Sequence, residues 1–113
     1  METITNYKEI IKLALSEIAR LIPSDDRVEL ETIFDDQHGH YLLFTVGWTN
    51  NKREYSPILH IDVKPNGKIY LQHDGTDLEF ALRLFEKGIP KSDMVVAYRS
   101  PHQRQFLTDF ALA

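Results

Sequence analysis

Two histidines and two aspartates lie close together in the middle of the sequence, and these residue types can bind metal ions or transfer protons. One residue separates His60 from Asp62, and His73 separates Gln72 from Asp74. Side chains two positions apart in a strand point to the same face. Imidazole and carboxylate groups on one face can coordinate a divalent cation or act as a general acid–base pair. A metal-assisted hydrolase or nuclease that uses His60, Asp62 and Asp74 is therefore one hypothesis.

A non-catalytic role for the same residues is the stronger interpretation. His60 and Asp62 can simply pair across strands with Gln72 and Tyr70. A nuclease that uses a divalent metal normally gathers several carboxylates and a lysine, whereas the only nearby lysines lie at a turn. We therefore predict no catalytic residue, no metal site and no cofactor. The candidates for binding a partner protein are His60, Asp62, Tyr70, Gln72 and Asp74.

These candidates lie on a predicted β-hairpin whose turn is the Pro-Asn-Gly sequence at 65–67. Proline fixes φ at the first turn position, asparagine suits the second, and glycine can adopt the left-handed conformation that follows. This turn pairs Asp62 with Tyr70 and His60 with Gln72 on a polar face. A two-residue Asn-Gly loop is the alternative, but it would mix apolar and polar side chains on both faces. The opposite, apolar face carries Leu59, Ile61, Val63, Ile69 and Leu71, with His73 at its end.

A second helix is predicted to follow the hairpin directly. Thr76 and Glu79 have the spacing of a capping box, and Gly75 allows the bend between strand and helix. An anion site at this helix N-terminus is the alternative, but Asp77 and Glu79 already place negative charge there. The predicted structural motif consists of Gly67, His73, Gly75, Thr76 and Glu79.

The remaining segments complete an α+β fold. Apolar residues at three- and four-residue steps predict an amphipathic helix that begins near Thr5 or Asn6 and ends before Pro23. Pro57 predicts a bulge or an unpaired edge nearby. The predicted order is an N-terminal helix, a four-stranded antiparallel meander, a second helix and a short C-terminal strand or helix element. The strands are predicted at 27–35, 40–48, 53–63 and 68–73, the second helix at 77–87, and a short strand at 94–98.

Two further sets of apolar residues are expected to complete the core. The C-terminal set consists of Phe106, Leu107, Phe110 and Leu112. The second helix is predicted to bury Leu78, Ala81, Leu82 and Phe85. Trp48, next to a turn, is interpreted as a lid on the core rather than a binding platform.

Composition predicts a single domain spanning residues 1–113. The 113 residues are 42% hydrophobic and 27% charged, contain no cysteine, and carry a net charge of -4. No apolar run approaches the roughly 20 residues of a membrane span, and the first residues do not resemble a signal peptide, so we expect a cytoplasmic protein. DNA-binding domains usually present a basic surface. We therefore expect no strong direct nucleic-acid binding and no membrane association.

Six segments of the sequence carry a resemblance to a known family. They are residues 7–11 (YKEII), 44–48 (FTVGW), 59–63 (LHIDV), 67–76 (GKIYLQHDGT), 88–93 (GIPKSD) and 108–113 (TDFALA). Together they are similar to the XisI family, the fdxN element excision controlling factors, which are found mainly in cyanobacteria.

What the resemblance implies is an accessory role rather than catalysis. With a companion of the XisH type, such a factor controls the excision of a DNA element by a site-specific recombinase during differentiation of nitrogen-fixing cells. The family offers no established catalytic residues to transfer to this chain. The expected partner is an XisH-like companion, with the recombinase complex as a second candidate. Self-association through the first helix or an open sheet edge is left open.

Overall fold

The computed structural model describes residues 2–23, 25, 27–76 and 79–112. It confirms the α+β architecture, in which one sheet has the strand order β1-β2-β3-β4-β5. The first four strands form the predicted antiparallel meander, and β5 pairs parallel to β4. The elements are α1 (Glu2–Leu21), β1 (Val28–Asp35), β2 (His40–Thr49), β3 (Lys52–Val63), β4 (Ile69–Asp74), α2 (Phe80–Glu86), β5 (Met94–Val95) and α3 (Pro101–Arg104).

Helix α1 covers one face of the sheet. It begins at Glu2, earlier than predicted, and ends at Leu21, two residues before Pro23. Its buried stripe recurs at three- and four-residue steps, as expected for an amphipathic helix that packs on a sheet. None of the described helices is long and apolar enough to cross a membrane. The buried residues of α1 are Tyr7, Ile11, Ala14, Leu15 and Ile18.

The apolar face of the central strands packs against α1, as the alternation predicts. These residues form one core cluster with α1, and most of them are completely buried. Burying one such aliphatic side chain contributes about 1.5–3 kcal/mol. The set consists of Tyr41, Leu43, Leu59, Ile61, Val63, Ile69 and Leu71.

Two predicted features of the sheet are confirmed, namely the bulge near Pro57 and the hairpin turn at Gly67. Leu43 pairs with Leu59 but the next residue of β2 pairs with Pro57, which leaves Ile58 as the extra residue of a bulge. Proline has no N–H for the ladder, so a bulge beside it is expected. At the hairpin turn, Gly67 has φ +85° and the Lys64 N–H donates to the Lys68 carbonyl at 2.9 Å.

The hairpin register agrees with the prediction only near the turn. Asp62 pairs with Tyr70 as predicted, but His60 pairs with His73 rather than Gln72. The prediction was wrong beyond that point, where Leu59 lies opposite Asp74 rather than His73. Gln72 is the extra residue of a second bulge, and bulges increase local twist. His73, expected at the end of the apolar face, is exposed instead.

The predicted capping box does not form. Helix α2 begins at Phe80, and Glu79 at its N-cap has φ +46° and no side-chain capping hydrogen bond. The carboxylate of Asp74 takes this role, because it accepts hydrogen bonds from the backbone N–H groups of Thr76 at 2.9 Å and Phe80 at 3.2 Å. The predicted helix start at Asp77 and the burial of Leu78 fall outside the described residues.

Helix α2 faces the core with a different stripe from the predicted one. Phe80 and Leu84, four residues apart, are fully buried. Leu82 and Phe85, which were predicted to be buried, are exposed, because Phe80 and Leu84 form the face of the helix that packs on the core. The helix is followed by Gly88 at φ +108°, which agrees with the predicted glycine stop.

The C-terminal segment contributes only part of its apolar set to the core. Leu107 and Phe110 pack against the core cluster. Phe106 and Leu112, also predicted to dock, are largely exposed. The short helix α3 has a capping box formed by Ser100 and Gln103, whose backbone and side-chain groups exchange two hydrogen bonds.

Asp36 connects the turn between β1 and β2 to helix α1, and we expect it to make stability depend on pH. Its carboxylate accepts hydrogen bonds from the Tyr41 hydroxyl at 2.7 Å and the Lys12 ammonium at 2.9 Å. These bonds lower the pKa of Asp36. A carboxyl with a depressed folded pKa stabilises the protein above its unfolded pKa of about 3.9, and this contribution is lost as pH falls through the folded pKa.

We therefore expect Asp36→Asn to lower the urea midpoint at pH 7 and to weaken the loss of stability below about pH 4. Urea unfolding between pH 2.5 and pH 7 measures both effects. Glu29→Gln, a carboxyl-to-amide change on β1, is the control and should leave the midpoint at pH 7 nearly unchanged. Parallel pH profiles for wild type and Asp36→Asn would contradict this assignment.

Candidate functional site

Three ionisable side chains from β2 and β3 meet at one end of the sheet. His40 pairs directly with Asp62 across the two strands, and His60 lies two residues before Asp62 on the same face. Asp62 is only 6% exposed, and it is hydrogen-bonded to His40, His60 and Gln72, which all belong to strands of the sheet. We call His40, His60, Asp62 and the neighbouring Gln72 the histidine–aspartate cluster.

The carboxylate of Asp62 is the centre of this cluster. Its Oδ1 lies 2.8 Å from His40 Nδ1 and 2.9 Å from His60 Nε2, and its Oδ2 accepts a hydrogen bond from Gln72 Nε2 at 3.1 Å. The Lys64 ammonium is 4.0 Å from Oδ2. Burial favours the neutral form, but the hydrogen bonds and the nearby imidazoles outweigh it and lower the pKa of Asp62. Asp62 is therefore a carboxylate at neutral pH, and both facing imidazole nitrogens carry hydrogen.

The structure brings together three of the five predicted partner-binding residues. His60, Asp62 and Gln72 share one hydrogen-bonded group. Tyr70 lies across from Asp62, with the Lys64 ammonium 5.4 Å from its ring centroid. Asp74 lies outside this hydrogen-bonded group, because its carboxylate instead accepts hydrogen bonds from the segment that leads into α2. The constellation proposed for a hydrolase, which included Asp74, therefore does not form.

His40 is the cluster member that the sequence-based reasoning missed. It lies twenty residues before His60 in the sequence, at the start of β2. Its position opposite Asp62 follows from the register of β2 on β3, which includes the bulge at Ile58. The available signal was the His-Gly-His sequence at 38–40, whose first two residues lie in the predicted turn at 36–39 and whose last residue begins the second predicted strand. The ring of His38 stacks on that of His40, with 6.4 Å between centroids.

The cluster borders a broad apolar surface on the outer face of the sheet, opposite α1. Cross-strand pairing places Val46 beside Tyr55 and Trp48 beside Arg53 on this face. Trp48 is 55% exposed and Tyr55 is 63% exposed, so the predicted role of Trp48 as a core lid was wrong. The apolar strip, as we call this surface, consists of Ile33, Leu42, Phe44, Val46, Trp48 and Tyr55.

Charged side chains flank the apolar strip. The Arg53 guanidinium lies 5.3 Å from the Trp48 ring centroid and 5.4 Å from that of Tyr55, which is cation–π geometry. On the other side, Glu29 and Glu31 of β1 pair with residues of the strip and share its face. An acidic row therefore runs along one side of the exposed apolar surface.

A separate cleft of about 660 Å³ opens beside the start of α2. It is lined by side chains of both charges, including Asp74, Glu79, Lys91 and Arg99. None of the histidine–aspartate cluster residues lines it. Acidic and basic groups here offset one another, so the cleft gives no clear preference for a cation or an anion.

Comparison with known proteins identifies similar chains over almost the full length. The family described as XisI protein matches residues 1–112. The crystal structure of a XisI-like protein from Anabaena variabilis ATCC 29413 is 36% identical, with a TM-score of 0.91 over 97% of this chain and 99% of that one. The fdxN element excision controlling factor XisI from the same organism is 32% identical, with a TM-score of 0.85 over 98% and 99%. No curated protein matches this chain.

Proposed function

This chain belongs to the XisI family, and on that premise we propose that it is an accessory factor that controls site-specific excision of a DNA element. The element is of the fdxN type, in heterocyst-forming cyanobacteria. The factor works in the cytoplasm through contacts with an XisH-like companion protein and carries out no catalytic step itself. The observation that supports a protein-binding role best is the exposed apolar strip.

The apolar strip has the composition of a protein interface. The buried apolar residues of helices α1 and α2 belong to the core on the opposite face of the sheet. The strip therefore keeps two large aromatic side chains, Trp48 and Tyr55, in solvent. Tryptophan, tyrosine and arginine are the residues that most often dominate binding energy at interfaces. Contiguous exposed apolar surface rimmed by polar groups is typical of interaction sites.

The charges around the strip indicate what kind of surface it would bind. Glu29 and Glu31 line one side, and the whole chain carries a net charge of -4. Complementary charges across an interface speed association and disfavour wrong partners. The companion is therefore expected to present an apolar patch with lysine or arginine along one side. The same acidic row disfavours direct docking on DNA phosphates.

Binding of the purified companion to variants of the apolar strip tests this proposal. We expect Trp48→Ala and Tyr55→Ala each to weaken binding about 30-fold, which corresponds to the roughly 2 kcal/mol of an aromatic hot spot. Leu13→Ala is the matched control, because Leu13 is an exposed apolar residue on α1 and lies away from the outer face. Isothermal titration calorimetry measures the dissociation constants.

Two outcomes would contradict the proposal. The first is companion binding with unchanged affinity in both aromatic variants, and the second is no binding by the wild-type chain. Gln72→Lys separately tests the predicted polar hairpin surface, since it adds charge beside the histidine–aspartate cluster. Sedimentation of the chain alone shows whether a second copy, rather than the companion, covers the strip.

A further inference from the structure

We propose that the histidine–aspartate cluster binds one divalent transition-metal ion of the Zn²⁺ type, with His40 Nδ1, His60 Nε2 and Asp62 Oδ1 as ligands. Two imidazole nitrogens and one carboxylate oxygen form a donor set that suits zinc and its neighbours. Magnesium and calcium prefer all-oxygen sites and are not expected here. This inference does not depend on the proposed role in DNA excision.

The geometry of the cluster carries the proposal. Both imidazole nitrogens point at the same carboxylate oxygen, at 2.8 Å and 2.9 Å, and one ligand atom from each of the three residues lies within 4.8 Å of the others. Ligand atoms about 2.0–2.2 Å from a zinc ion are separated by about 3–3.5 Å. An ion that binds between the three atoms would replace the two shared hydrogens once the side chains move to these separations.

The surrounding groups favour a cation at this position. Asp62 supplies a buried negative charge that is close to two imidazoles. Gln72 holds the other carboxylate oxygen at 3.1 Å, as supporting residues do around metal ligands. Lys64 opposes the cation, but its ammonium lies 4.0 Å from Oδ2, the oxygen that the imidazoles do not contact. Its side chain is 42% exposed, so it can move into solvent.

The site is open to solvent on the outer face of the sheet. The side chains of His40 and His60 are 47% and 33% exposed, so an ion can reach the two imidazoles beside Asp62 directly from solvent. Three protein ligands leave at least one coordination position for water or for a group from another molecule. That position faces the same side of the sheet as the apolar strip.

Titration of the full chain with Zn²⁺, after treatment with a chelator, tests the site. At pH 7.5 we expect one ion per chain and a raised melting temperature, with no response to Mg²⁺. His40→Ala and His60→Ala should each weaken Zn²⁺ binding at least tenfold. His73→Ala and His102→Ala are matched controls, because both histidines are exposed and lie outside the cluster. Far-UV circular dichroism checks that each variant is folded.

Imidazole ¹⁵N spectra of the wild-type chain provide a readout that needs no variant. Zn²⁺ should change the chemical shifts of His40 Nδ1 and His60 Nε2 and leave those of His73 unchanged. Absence of binding heat and of a thermal shift with Zn²⁺ would overturn the proposal. Binding that survives in both cluster variants, that is lost in His73→Ala, or that Mg²⁺ reproduces would overturn it as well.

Discussion

Phe80→Ala is expected to lower the free energy of unfolding by about 3–5 kcal/mol, as large aromatic truncations in a core do. Phe80 is completely buried at the first turn of α2, and its backbone N–H is held by Asp74. Removing the ring therefore leaves a cavity where α2 meets the core. Because small domains are stable by only about 5–15 kcal/mol, this is a large part of the total. Urea unfolding followed by circular dichroism measures the change.

Phe85→Ala is the matched control, since it makes the same substitution on the same helix at a residue that is 47% exposed. We expect a cost of no more than about 1 kcal/mol, because surface substitutions have small effects. The pair also tests the helix register. A larger loss for Phe85→Ala than for Phe80→Ala would support the stripe predicted from the sequence and contradict the observed one.

Gly39→Ala is expected to destabilise the protein by about 2–4 kcal/mol, through left-handed backbone strain and a steric clash together. Gly39 has φ +74°, and a Cβ atom there would lie 2.3 Å from the Val63 carbonyl oxygen. Its own carbonyl accepts a hydrogen bond from the Val63 N–H at 2.8 Å. A methyl group would therefore push the start of β2 away from the end of β3, where His40 meets Asp62.

Gly67→Ala separates the two contributions. Gly67 has a similar φ of +85°, but a Cβ atom there would meet no atom within 4 Å. We expect only the conformational cost, about 1 kcal/mol. Urea unfolding of both variants gives the difference between them, which measures the clash at Gly39. Equal losses of stability would show that Val63 moves aside at no cost and that contact with it does not explain the need for glycine.

Local sequence patterns predicted those features that depend on neighbouring residues. The Pro-Asn-Gly turn places Gly67 in the left-handed conformation, and it sets the pairing of Asp62 with Tyr70. Alternating apolar residues identified the core face of the hairpin, and Pro57 predicted the bulge in β3. Each of these results follows from φ restriction, side-chain alternation or a missing N–H group, which act within a few residues.

The features that the sequence did not predict depend on packing between distant segments. The bulge at Gln72 removes His60 from its expected partner, and the Asp74 carboxylate accepts hydrogen bonds from the backbone N–H groups of Thr76 and Phe80. A bulge has no unique local pattern, and a carboxylate can satisfy N–H groups as well as a capping box does. The predicted buried face of α2 was also wrong, since Phe80 and Leu84 face the core and Leu82 and Phe85 do not.

Composition and alternation by themselves determined a small α+β fold with an apolar hairpin face, because hydrophobic burial and turn chemistry are properties of short segments. Only the tertiary structure decided that His40 joins His60 and Asp62, because strand register brings together residues that are twenty positions apart. It also decided that the second apolar face of β2 lies on the side of the sheet opposite α1, where its residues are half-buried or exposed. The near-continuous apolar run of β2 shows that both faces of this strand are apolar, but only the positions of the helices determine which of them is covered.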